Sequence, residues 1–325
     1  MISISAIIPN YNGCELLERN LPALFQELEH AQVDYEVIVV DDCSTDKSVE
    51  FLKANYPQVI IVEQEKNGGF SASCNAGIRK ASKSLVFLMN SDIKLTENYF
   101  RPQFKFFENE KTFGVMGQII GYYDNHIQDT AKWPTTKGLK VKATNNYLVE
   151  DHKESFWTPS FYLSGANALI DTEKFKILNG FDEIYSPYYC EDLDLSVRAQ
   201  RLGWECYYEH ESVCRHEGSV TTNKIRRKSV NIIYFRNRFI FHAIHYNNWQ
   251  LKLYNLQICF NLLFRWINFR FEVYTAFWEY LKSSKEINHS RNALKELMNN
   301  HSSLSLKEII RGQKAKTKKC KIRFV

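Results

Sequence analysis

Four short apolar runs, at residues 4–8, 36–40, 59–62 and 85–89, punctuate the first third of the chain, and stretches with helical apolar spacing fill the gaps at 14–31, 45–55 and 71–82. Strand, helix, strand, helix in that rhythm predicts a mainly parallel sheet with helices on both faces. Each run also ends on polar residues. The second reads EVIVVDDCSTD over 36–46 and delivers Asp41 and Asp42; the first delivers Pro9-Asn10-Tyr11-Asn12 and the fourth Asn90-Ser91-Asp92. In open parallel sheets a ligand sits beyond the carboxyl ends of the strands, so three polar clusters converge on one rim. Asp41 alone reads equally as an Asx turn or part of the next helix's cap.

With 325 residues and 44% hydrophobic content, the chain can bury a sizeable core. Its eight cysteines form no CxxC pair, which argues against a zinc site or a disulfide framework. MISISAIIPNYNG lacks the basic and long apolar regions of a signal peptide, so a cytoplasmic protein is expected. The net charge of +5 is concentrated late, in KIRRK (224–228) and in the tail from 314 to 325. That placement suits an anionic membrane face or a solvated tail, and it lies outside the motif-bearing half, against a nucleic-acid binder.

Further along, residues 122–158 are polar and weakly periodic, which predicts a variable loop. A strand is expected over 161–170, an aromatic and acidic loop over 180–192, a helix over 192–203 closed by Gly203, and short strands near 205–208 and 212–215. From Lys228 to Tyr280 aromatic and basic residues interleave: Trp249, Phe260, Phe264, Trp266, Phe269, Phe271, Phe277 and Trp278 among Lys252, Arg265 and Arg270. No run there is long enough to span a membrane. Helices lying in a membrane interface, or ordinary helices packing their aromatics on the main domain, both fit the pattern.

Taken in order, IIPNYNG, VVDDCSTD, NGGFSASCNAGIRKA, LMNSDI, SGANALI, GFDEIYSPYYCEDLDLSVRAQRLGW and RHEGS resemble the family 2 glycosyltransferases. The similarity covers about residues 3 to 245, and YFRNRFIF is similar to the rhamnosyltransferase-like branch. The resemblance implies a GT-A fold: an α/β architecture with a mainly parallel central sheet flanked by helices, plus a C-terminal helical appendage. It divides the chain into a catalytic domain over 1–227, with a nucleotide-sugar half to about 92 and an acceptor half over 93–227, and a helical, aromatic and basic region over 228–325.

Residue by residue, the resemblance places Asp41 against the nucleotide base, with Pro9 and Tyr11 as pocket wall, while Asp42 is left as a cap. It places Asn67, Gly69, Phe70 and Asn75 along the donor, the two glycines at a helix start leaving backbone N–H groups near Gly69 and Phe70 to face phosphate or sugar. Asn90, Ser91 and Asp92 match the family's DxD metal motif with Asn in the first place, so Asp92 is the principal carboxylate for a divalent cation, Mg2+ or Mn2+. His216 matches a histidine approaching metal or diphosphate; a structural histidine at a strand end is the alternative. In the Glu191-Asp192 pair, Asp192 matches the general base and Glu191 orients the acceptor, although both acids also suit a helix N-terminus. Asp194 is expected to favour the helix dipole or a basic neighbour.

The expectation is an inverting glycosyltransferase, metal-dependent, moving a sugar from a UDP- or dTDP-sugar, with dTDP-rhamnose slightly favoured, to a glycan acceptor. By resemblance that acceptor is a lipid-linked oligosaccharide of surface polysaccharide synthesis, reached from the inner face of the cytoplasmic membrane by a peripheral protein. The C-terminal helices could instead make a homodimer. Two rivals stand beside this reading: a nucleotidyltransferase, which should carry a Gly-rich basic loop after strand one, and a non-catalytic sugar-nucleotide-binding module.

Overall fold

The computed structural model of the chain describes residues 2–151, 156–217, 227–263 and 271–325. The predicted alternation of strands and helices is present: β1 (Ser3–Asn10), α1 (Cys14–Ala31), β2 (Asp34–Asp41), α2 (Ser48–Asn55), β3 (Ile60–Glu63), α3 (Gly69–Lys80) and β4 (Leu85–Met89). β4, β1, β2 and β3 lie side by side, all parallel. Both faces are covered, which is why the runs are continuously apolar and not alternating. Ile4, Ala6, Ile8, Val37, Val39 and Phe87 enter one core layer, whereas Ile7, Ile38, Val40, Val86 and Leu88 enter the other.

The sheet then continues as a mixed one. β5 (Ile93–Leu95), α4 (Arg101–Phe104) and β6 (Thr112–Gly121) are followed by β7 (Ile127–Asp129), β8 (Ala131–Lys137), β9 (Lys140–Val149) and β10 (Thr158–Pro159). Next come β11 (Asn167–Asp171), α5 (Thr172–Ile177), α6 (Glu191–Arg201) and β12 (Glu205–His216). β11 inserts antiparallel between β4 and β6, and β12 runs parallel to β6 and antiparallel to β5. The expected pair of strands at 205–208 and 212–215 is one strand with an irregularity between Tyr208 and Val213.

Two other expectations change. The predicted 161–170 strand begins only at Asn167, because the preceding backbone bonds elsewhere: Phe161 N donates to Lys132 O (3.0 Å) and Leu163 N to Ser196 Oγ (3.0 Å). The 122–158 loop is largely sheet: β8 and β9 form a hairpin turning at Gly138 (φ +58°), where the left-handed backbone suits glycine. The charged β13 (Ile322–Phe324) adds to β9 to make a three-stranded sheet. The basic tail is therefore built into the fold along part of its length.

Among the described residues, five helices follow β12: α7 (Arg227–His245), α8 (Asn248–Leu263), α9 (Glu272–Lys282), α10 (Ser284–Asn300) and α11 (Leu306–Lys316). α11 starts at a full capping box, Ser305 with Glu308. Phe239, Phe241, Val273 and Tyr280 from these helices share a core with Val141, Phe161, Tyr185 and Val197. Their aromatics divide into two sets. Phe239 and Phe241 are buried, while Trp249, Phe260 and Trp278 are more than half exposed; Phe264, Trp266 and Phe269 lie outside the described residues. Among the described residues, no helix is long and apolar enough to cross a membrane.

Candidate active site

At the rim, parallel register alone sets the first cluster. Asn10 ends β1 directly beside Asp41 at the end of β2, and Asn10 Nδ2 donates to Asp41 Oδ1 at 3.1 Å. Ser44 N donates to Asp41 Oδ2 at 2.9 Å, so this buried carboxylate braces its own turn as well as facing the rim. Pro9 precedes Asn10 in β1, and Tyr11, nearly half exposed, stands at the mouth just past the strand end.

Asp42 is a cap, as expected. Its Oδ1 accepts from Gly68 N (2.7 Å) and Gln64 Nε2 (2.8 Å), and its Oδ2 from Gly69 N (2.8 Å). This corrects one expectation: the Gly69 N–H faces a buried carboxylate and not the crevice. Gly69 is needed for another reason, since its φ is +80° and a Cβ there would lie 3.2 Å from Pro187 O. The start of α3 thus packs directly on the 183–190 loop. Asn67 Nδ2 donates to Asp42 O at 3.3 Å. Asn75 is likewise engaged away from the crevice: its amide bonds Phe181 N and O (2.8 and 2.9 Å) and Glu183 Oε1 (2.9 Å), anchoring that same loop.

The second cluster forms where β5 pairs with β12, with His216 opposite Ile93. That register carries His216 to the residue next to Asp92, and His216 Nε2 lies 3.3 Å from Asp92 Oδ2. Gln128 fixes the imidazole from behind. Its Oε1 is 2.8 Å from His216 Nδ1 and its Nε2 donates to His216 O (3.2 Å), which leaves the imidazole Nε2 on the side of the carboxylate. Asp92 Oδ1 and Asn90 Oδ1 are buried with no hydrogen-bond partner among the described residues. A buried oxygen left so costs about 1–3 kcal/mol, which a cation among these acceptors would offset. Hard oxygen donors with one imidazole fit Mg2+ or Mn2+. No group of three or more His, Cys, Asp or Glu able to hold a metal occurs among the described residues. Ser91 contributes its carbonyl to Asn20 Nδ2 at 2.8 Å, bracing the turn from α1.

The third cluster opens α6. Tyr189 and Cys190 both adopt φ of +74°, a strained conformation for side-chain-bearing residues that costs about 1–2 kcal/mol each. Asn237 of α7 holds it in place, its buried Nδ2 donating to Tyr185 O (2.6 Å), Tyr188 O (2.9 Å) and Tyr189 O (2.9 Å). Arg236 adds a bond to Ser186 O (2.5 Å). The strain turns the chain so that Glu191 and Asp192 start the helix, with Asp192 against the SGA turn at 164–166. There a Cβ on Gly165 would meet Phe70 at 3.0 Å and lie 3.9 Å from Asp192 Cβ, while Asn90 N donates to Ala166 O (3.2 Å). One turn therefore touches the NSD cluster through Ala166, and Phe70 and Asp192 through Gly165.

Burial raises Asp192 from 3.8 to about 6, opposed by its bond from Leu193 N (2.7 Å) and by the charge of Lys132. Burial also pushes Glu191 well up, with the Asp192 charge adding to it. Lys132, buried and paired with Asp129, lies 5.2 Å from the Tyr162 ring centroid. It is a contributor that sequence reading missed, because it stands in the segment taken for a loop, where AKWPTTK shows no apolar period. Asp194, in contrast, points into the interior. Burial opposes its charge, yet Arg198 and His245 hold it down at about 2.

The family model for glycosyl transferase family 2 matches residues 5–176, more than half of the chain. A poly(ribitol-phosphate) beta-glucosyltransferase of Bacillus spizizenii is 30% identical over 124 residues, 37% of this chain but only 19% of that protein. An uncharacterized glycosyltransferase of Bacillus subtilis, YfnE, is 24% identical over 269 residues, covering 67% of this chain and 68% of its own. Among solved structures, GalNAc-T7 with UDP, GalNAc and Mn2+ superposes with a TM-score of 0.67 at 14% identity, over 98% of this chain and 58% of that one. A mannosyltransferase from Pyrobaculum calidifontis with GDP-Man and Mn2+ gives 0.55 at 15% identity, over 86% and 87%. The fold is GT-A, and the chain belongs to the family 2 glycosyltransferases.

Proposed function

We propose that this enzyme transfers a sugar from a UDP- or dTDP-sugar, dTDP-rhamnose being slightly favoured by the resemblance of YFRNRFIF, to a lipid-linked glycan acceptor with inversion at the anomeric carbon. The observation that carries the reading is the SGA turn, which joins Asp192 to the NSD and His216 cluster. Asp192, ionised above about pH 6, takes the proton of the acceptor hydroxyl as its oxygen bonds the anomeric carbon; the bond from that carbon to the donor phosphate breaks on the opposite side. Glu191, its pKa pushed up by burial and by the Asp192 charge, orients the acceptor. Asp92, His216 and Asn90 would hold a divalent cation, which when bound supplies Lewis-acid stabilisation of the departing diphosphate. Two solved GT-A neighbours hold UDP or GDP-Man together with Mn2+, which supports a nucleotide-sugar donor of either base and a divalent cation. Pro9, Tyr11, Asp41, Asn67, Phe70 and Ser91 line or brace the donor side.

The division into a catalytic unit over 1–227, with donor and acceptor halves meeting near 92, and a docking region over 228–325 belongs to the same proposal. α8 supports docking to the inner face of the cytoplasmic membrane: Trp249, Leu256, Phe260 and Leu263, spaced 7, 4 and 3 residues apart, form one face and are 62–68% exposed. Relatives named for polymer synthesis, the poly(ribitol-phosphate) beta-glucosyltransferase among them, favour a surface polysaccharide product.

Calorimetry with UDP, dTDP and GDP, with and without Mn2+, tests the donor side. One nucleotide binding with metal-dependent tightening that Asp92→Ala abolishes is expected; absence of binding by all three overturns the reading.

A further inference from the structure

A cavity of about 350 Å³ opens away from the donor crevice, between the β8–β9 hairpin and helices α7, α8 and α9. Lys137, Lys140, Lys142 and Arg238 line it, with Tyr234 and Tyr254 among its aromatic walls, and no acidic residue is among its described lining. The lysines are not scattered. Lys137 and Lys140 are direct cross-strand partners, and Lys142 follows on the same strand, in register with Thr135. Like charges directly opposite on a hairpin destabilise it. The hairpin is nevertheless held firmly over the cavity: Val141 N donates to His242 Nε2 (2.9 Å) and Leu139 N to Gln257 Oε1 (3.0 Å). A fixed cluster of four cations over a roomy cavity is an arrangement for a multiply charged anion.

Two neighbours say which anion. One wall carries Tyr234, whose hydroxyl accepts from Arg238 (3.1 Å) and whose ring meets edge-on, at 5.9 Å, that of Tyr189, two residues before Glu191. The cavity therefore adjoins the acceptor side of the reaction centre. The opposite wall is α8, where cavity-lining Gln257, Ile258 and Asn261 interleave with the exposed Leu256 and Phe260. Cationic lining beside an outward apolar stripe matches a molecule with a charged head at a bilayer surface.

We propose that this cavity binds the diphosphate of a lipid-linked acceptor and holds it at the membrane surface while the glycan end reaches Asp192. This rests on the glycosyl-transfer reading above and identifies where that reading's acceptor is gripped. The Tyr234 side chain and the Gln257 side-chain amide suit the first sugar, and the lysines suit the phosphates.

The test uses the full chain and farnesyl diphosphate as probe, measured by calorimetry against the Lys137→Ala/Lys142→Ala variant, both lysines being exposed and outside the core. The variant should bind the probe about tenfold or more weakly, with its unfolding temperature unchanged or slightly raised by relief of the Lys137–Lys140 repulsion and its nucleotide binding unchanged. Equal binding by variant and parent overturns the proposal, as does no binding by the parent. A soluble glycerol-phosphate oligomer forms the second arm: lysine-dependent binding of that polymer without binding of farnesyl diphosphate overturns the lipid assignment. Failure of every nucleotide to bind would defeat the donor reading separately, since the two probes occupy different cavities.

Discussion

Replacing Asp192 by Asn should make the protein more stable while removing its activity, and both effects follow from one carboxylate. Its folded pKa, about 6, lies above the ordinary 3.8 because burial penalises the charge. The folded state therefore binds the proton more tightly than the unfolded one. Stability is lost as pH rises from about 4 to 6, and the full cost is present above that window. At 1.36 kcal/mol per pH unit the rise corresponds to roughly 3 kcal/mol; partial exposure and the neighbouring Glu191 reduce the expected gain to about 1–2 kcal/mol. Asparagine keeps the shape and can still accept from Leu193 N, so no cavity forms, while its amide N–H groups beside the Gly165 N–H offset part of the gain.

Urea unfolding of parent and variant at pH 8 and at pH 4.5 measures this directly. The variant should be more stable by about 1–2 kcal/mol at pH 8, with most of the difference gone at pH 4.5. Turnover should fall by roughly 10²–10⁴, the contribution of a positioned base. A variant less stable than the parent at pH 8, or a difference that ignores pH, would show that the Asp192 charge is not desolvated and would refute the reasoning.

Three further outcomes follow. The pH profile of kcat/KM should climb through about pH 6 and level off above it, since the base acts ionised; a profile flat from pH 5 to 8 contradicts the assignment. Asn237→Ala should cost about 1–3 kcal/mol in urea unfolding by leaving buried carbonyls of the 185–189 turn unpaired, and should lower kcat more than it changes nucleotide affinity; normal turnover would exclude a positioning role. Leu256→Glu with Phe260→Glu should weaken binding to anionic vesicles by roughly tenfold or more, read by sedimentation, whereas unchanged binding removes α8 from the membrane contact.

The polar rim was readable because each strand end carries its own polar cluster, and the parallel order of β4, β1 and β2 makes them converge without further information. The Asp92 and His216 pair was readable only through family resemblance, since it depends on the β5–β12 register, which no local pattern encodes. Lys132 and the hairpin cavity were not legible at all. Their segment alternates with polar and charged residues on both faces, so it lacks the apolar period that marks a strand, and its partners are helices more than 90 residues away in sequence. The same long-range dependence hid the buried engagement of Asn75, which depends on the loop at 180–190, and of the Gly69 N–H, which depends on the turn after β2.

Asp192 and Asp194 show how far that dependence reaches, because they share one helical turn and should respond oppositely to the same chemical change. Asp194 is fully buried, yet its charge is wanted: Arg198 Nε donates to Oδ2 at 2.6 Å, while His245 Nε2 (2.9 Å) and Tyr185 OH (3.0 Å) meet Oδ1. Burial lowers the His245 pKa, while its hydrogen bond and proximity to Asp194 act the other way. With a folded pKa near 2, below the ordinary 3.8, Asp194 contributes stability that is present above about pH 4 and lost only as pH falls towards 2. Asp194→Asn sets an amide N–H against the Arg198 Nε–H and leaves a buried guanidinium without its counter-charge. The loss should be about 3–5 kcal/mol in urea unfolding at pH 7. It should also loosen α6 from α7, because Asp194 and His245 bridge these helices, and α7 carries the Asn237 that shapes the base's turn. A cost below about 1 kcal/mol would mean that Arg198 is held adequately by its other bonds, to Leu178 O and Gly180 O (2.8 and 2.9 Å), and that the ion pair does not couple the C-terminal helices to the reaction centre.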